Sequence, residues 1–90
     1  MSRAFVNEDA AGSGPRRDYH LPARDDPDFD SVAATVLLEA ARSGETASAE
    51  DATGYRWGEP KLASYVRRIL RDADSSGDER LAQLARRFLR

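Results

Sequence analysis

The chain has no cysteine, which excludes a disulfide framework and any thiolate metal site. It has one histidine, His20, in a segment rich in proline and charge, where no serine or cysteine is placed to form a nucleophile–base pair with it. Glycine is scarce where phosphate chemistry needs it. Gly12-Ser13-Gly14 lacks the preceding strand and following helix of a phosphate cradle. The acid pairs Asp25-Asp26 and Glu50-Asp51 are neighbours on flexible or capping segments, a poor geometry for acid–base work. Long apolar runs are missing too. The longest nearly apolar stretch, Val32 to Leu38, falls far short of the roughly 20 residues a membrane helix needs. The opening residues turn acidic at Glu8-Asp9, where a secretory signal needs an apolar run. These absences predict a non-enzymatic cytoplasmic protein with no membrane span, no cofactor, no catalytic residue and no metal ligand set.

What is present is charge, unevenly spread. The 90 residues carry a net charge of −2. Residues 1–55 hold five arginines and eleven acids, net −6, whereas residues 56–90 hold nine basic residues and five acids, net +4. An acidic half followed by a basic half suggests an internal clasp or a basic face for an acidic partner. Ninety residues make at most one small domain, which buries only about 60% of the surface its unfolded chain exposes. A homodimer would relieve that shortage of core.

The pattern along the chain predicts an all-α fold: a small three- to four-helix bundle, residues 28–90, behind a disordered N-terminal arm, residues 1–27. The arm holds Pro15, Pro22 and Pro27 and few apolar residues; the exceptions, Phe5, Val6, Tyr19 and Leu21, are candidates to dock on the folded part or on a partner. Either Asp28 or Asp30 is placed to cap a first helix with the stripe Phe29, Val32, Ala33, Val36, Leu37 and Ala40, stopped by Gly44. Ser48 to Asp51 has capping-box spacing and predicts a short helix ending near Gly54. A loop, Gly54 to Pro60, leads to a helix from Pro60 to about Asp74 with the stripe Leu62, Tyr65, Val66, Ile69, Leu70 and Ala73. Gly77 ends it, and Asp78 caps a last helix bearing Leu81, Leu84, Ala85, Phe88 and Leu89. The short link predicts an antiparallel helical hairpin. Leu62–Arg71 and Leu81–Arg90 align at an offset of 19 with six of ten positions identical, which we read as two amphipathic helices meeting one packing demand.

Three features point toward binding or chemistry. Asp72, Asp74, Ser76 and Gly77 resemble the opening of a calcium-binding EF-hand loop. The likeness fails at Glu79, where an aliphatic residue belongs, and at Gln83, where a bidentate Glu belongs. An acidic helix end, a glycine stop and an Asp cap account for the same residues. The arginine pairs Arg67-Arg68 and Arg86-Arg87, with Arg71, Arg80, Arg90 and Lys61, lie beside the apolar stripes, either as a basic surface for phosphates or as a solvated face whose stems cover the core. Tyr55, Arg56 and Trp57 combine the residue types enriched at interface anchors, although the only Trp of a small domain more often plugs its core. These seven residues (Tyr55, Arg56, Trp57, Arg67, Arg68, Arg86 and Arg87) are the candidate binding set for a protein partner, with nucleic acid as the alternative.

The opening Ser2-Arg3-Ala4-Phe5-Val6-Asn7-Glu8-Asp9 resembles the leader of some bacterial Gre-type transcript-cleavage factors. The resemblance implies a role near RNA polymerase. It spans about eight residues. The long coiled coil and β-rich domain of those factors have no counterpart in the pattern above, so no functional residue is carried over.

Overall fold

The computed structural model describes residues 19–90, and the leader-like residues 2–9 lie outside that range. Four α-helices and one 3-10 turn make up the regular structure: α1 (Phe29–Arg42), α2 (Thr46–Thr53), the 3-10 turn Pro60–Leu62, α3 (Ala63–Ser76) and α4 (Glu79–Phe88). No strand occurs among the described residues, so the protein is all-helical there. None of these helices is long and apolar enough to cross a membrane.

The first helix is the hub because it is apolar on more than one side. The expected stripe is buried or half-buried, and Ala34 and Leu38 are fully buried as well. A helix buried over that much of its surface needs neighbours on several sides. α1 touches α2, α3, α4 and the 3-10 turn, whereas α2 touches α1 alone among these elements. The core joins Phe29, Leu37 and Leu38 of α1 to Leu62, Val66, Leu84 and Phe88.

Helix ends depart from the sequence expectation at three places. Asp28 is the N-cap residue of α1 but makes no side-chain cap, because its backbone is already helical (φ −87°, ψ −2°). Capping needs the extended conformation that aims the carboxylate back at the first turn. Its own amide donates instead to Asp26 Oδ1 at 2.8 Å. α2 starts at Thr46, two residues before the expected cap Ser48. The stop of α1 explains the shift: Gly44 and Glu45 donate to the carbonyls of Ala41 and Ala40 at 3.2 and 2.9 Å, and this turn feeds directly into the next helix. Ser48, already helical, accepts a 3.1 Å bond from the Tyr19 hydroxyl. The first turn after Pro60 is 3-10 rather than α, with the Glu59 carboxylate accepting from the Lys61 amide at 3.2 Å. Asp78 does cap α4, accepting from the Leu81 amide at 3.1 Å.

Composition groups residues 19–27 with the arm. Tyr19 and Leu21 pack against the core, and the Arg24 guanidinium stands 5.3 Å from the centre of the Phe29 ring. Residues 1–18 of that expected arm lie outside the described residues.

Candidate binding site

The loop from Gly54 to Pro60 is held at several points. Gly54 ends α2 in the left-handed region (φ 79°), which costs glycine little and a side-chain residue much more. Just before it, the fully buried Thr53 hydroxyl donates to the Ala49 carbonyl at 2.8 Å and accepts from the Tyr55 amide at 3.1 Å. The Tyr55 hydroxyl donates to Asp30 Oδ1 at 2.6 Å, and its ring lies 6.3 Å from Phe29. Deprotonating Tyr55 would forfeit the Asp30 bond, and this, followed by partial desolvation, raises its pKa. The Trp57 amide donates to Glu50 Oε2 at 2.8 Å, and the Trp57 ring meets Phe88 edge-on at 4.9 Å. Tyr55 and Trp57 are therefore half-buried braces joining the loop to α1 and α4, with Arg56 exposed between them.

Beside that braced loop lies a groove of about 500 Å³ lined by Pro60, Ala63 and Arg67 on one side and Phe88, Leu89 and Arg90 on the other, with Gly58 and Glu59 at its end. Its lining mixes apolar carbon with two arginines. Of the candidate residues, the structure brings Arg67 into the groove and sets Trp57 behind Phe88 as a support. Arg68 and Arg87 are exposed but do not line it. Arg86 points elsewhere and pairs with Asp74 at 3.0 Å.

The calcium-like stretch has a different shape from a calcium loop. Asp72, Asp74 and Ser76 are still helical in α3, and Gly77 makes the left-handed turn out of it (φ 81°). Asp74 is engaged by Arg86, and Asp78 bonds both the Leu81 amide and Arg42 Nη1, the latter at 3.0 Å. These two contacts, the Leu81 amide first, hold the Asp78 carboxyl below its usual range. The same Asp78 bond raises the Arg42 pKa. Among the described residues no group of three or more His, Asp or Glu is arranged to hold a metal ion. A hollow of about 350 Å³ beside the same turn, lined in part by Asp74, Gly77, Glu79 and Arg86, is occupied by that ion pair at its rim.

The groove residues Pro60, Ala63, Phe88 and Leu89 lie outside the sequence-derived site, whereas Arg90 belongs to its basic surface. One signal did exist. Phe88 and Leu89 are adjacent, and a single partner helix covers only one stripe, so one of them borders solvent: Phe88 is 2% exposed while Leu89 is half-buried. No protein-family model matches the chain, and no curated protein or solved structure matches it.

Proposed function

We propose that this chain is a non-enzymatic, cytoplasmic protein-interaction module, a compact helical bundle whose C-terminal helices form an antiparallel hairpin. Its binding face is the groove beside the Tyr55–Trp57 loop, together with the basic edges of α3 and α4. The observation that carries the reading is the groove itself: apolar side chains and two arginines converge there on a loop braced by Tyr55 and Trp57. A preformed surface of this kind binds without a large ordering cost. The nucleic-acid reading, including a polymerase-associated role, is supported by a separate fact. Arg67, Arg68, Arg71, Arg80, Arg87 and Arg90 are exposed and make no ion pair within 4 Å among the described residues.

Affinity capture from the host lysate by the tagged chain and by an Ala63→Leu variant, with and without nuclease and at two salt concentrations, separates the two. A stoichiometric protein that survives nuclease and salt, and is lost with Ala63→Leu, supports the interaction module. Material that disappears on nuclease treatment or falls steeply with salt moves the assignment to nucleic acid.

A further inference from the structure

We propose that the groove between Pro60–Ala63 and the end of α4 takes an acidic peptide segment bearing a bulky apolar anchor. This rests on the binding-face reading above and specifies the partner's chemistry.

The floor sets the anchor. Pro60, Ala63 and Leu89 supply apolar surface beside the nearly buried Phe88, and Ala63 is small enough to leave room above it. Phe88 is 2% exposed and is clamped edge-on by Trp57, so the floor is stiff rather than collapsible. A space of about 500 Å³ suits a few side chains, within the range of ordinary ligand clefts.

The rim sets the charge. Arg67 of α3 and Arg90 beyond α4 line the groove, and neither has an ion-pair partner among the described residues. The contrast with the rest of the fold is specific: Arg42 is matched by Asp78 and Glu39, and Arg86 by Asp74. Glu59 is the acid of this lining, set against two arginines, and accepts from the Lys61 amide. The groove thus gathers cations left without an ion pair among the described residues beside apolar carbon, and a carboxylate-bearing occupant completes both. Guanidinium groups favour such an occupant through paired N–H···O bonds. A single-stranded nucleic acid fits less well, since stacking needs an exposed ring face and the two aromatics here are packed against each other.

The test uses the full chain and Trp57, its only tryptophan, as the reporter. The blocked peptide Asp-Asp-Phe-Leu-Asp-Asp is titrated against a lysine counterpart, an all-aspartate hexapeptide and a single-stranded oligonucleotide. We expect saturable binding of the first peptide only, weakened about tenfold or more by Arg67→Glu. Arg90→Glu serves as the second variant, and unchanged thermal midpoints show that both still fold. If the lysine peptide binds equally well, the acidic assignment is overturned while the binding face stands. Oligonucleotide binding without peptide binding overturns both. If no probe binds, the inference fails, and the lysate capture judges the binding face independently.

Discussion

Leu62–Arg71 and Leu81–Arg90 share six of ten residues, yet the fold treats the matching positions differently. Leu62 is fully buried and its counterpart Leu81 is only half-buried. The alanines reverse that order, with Ala82 2% exposed and Ala63 half-buried in the groove. Arg86 has Asp74 as its partner, while Arg67 makes no ion pair among the described residues. Similar periodicity makes both segments amphipathic helices. What each side chain does then depends on the neighbours, because α3 follows a turn packed on the hub helix while α4 begins at a half-exposed cap.

The largest test of this contrast is a pair of truncations. Leu62→Ala should cost about 2–5 kcal/mol, enough to threaten folding in a domain this small, and Leu81→Ala distinctly less. Denaturant titration of both variants reads the difference, and equal losses would break the comparison. The alanine pair comes next. Ala82→Leu should destabilise by about 1–3 kcal/mol through overpacking, whereas Ala63→Leu should leave the unfolding midpoint near that of the parent while filling the groove. The arginines give the smallest stability effect. Arg86→Ala removes an ion pair whose side chains are 57% and 53% exposed, so the loss should stay within about 1 kcal/mol, and Arg67→Ala should cost nothing measurable.

The joint between the two segments has its own pH signature. Asp78 has a folded-state pKa below its ordinary value of 3.8, so the stability it contributes is fully present above that value. It is lost as the pH falls through the depressed folded value. Asp78→Asn should therefore flatten the acid limb of a stability–pH curve recorded by circular dichroism. An unchanged acid limb would mean that the cap and the Arg42 contact are not formed in solution.

Much of this architecture is legible in the residues. The stripes of α1, α3 and α4, the stop at Gly44, the turn at Gly77 and the cap at Asp78 all follow from local rules, since each depends on residues within a turn or two. The misplaced start of α2 shows where such rules fail. Ser48 carries a capping signature, but the chain leaving Gly44 was already turned into a helix, and Tyr19 took the hydroxyl. The second buried side of α1, with Ala34 and Leu38, was similarly hidden, because a periodicity shows one face and not the number of neighbours.

Sequence alone determined that the chain is helical, where most helices begin and end, that thiolate and disulfide chemistry are excluded, and that its second half is basic. Only the tertiary structure decided which of two near-identical arginine pairs meets an acid, that Tyr55 and Trp57 brace a loop from half-buried positions, and that Pro60, Ala63 and Leu89 share a groove. The physical reason is range. Helix propensity and capping act over a few residues along the chain, whereas pairing, burial and concavity arise between residues far apart in sequence that packing brings to within a few ångströms.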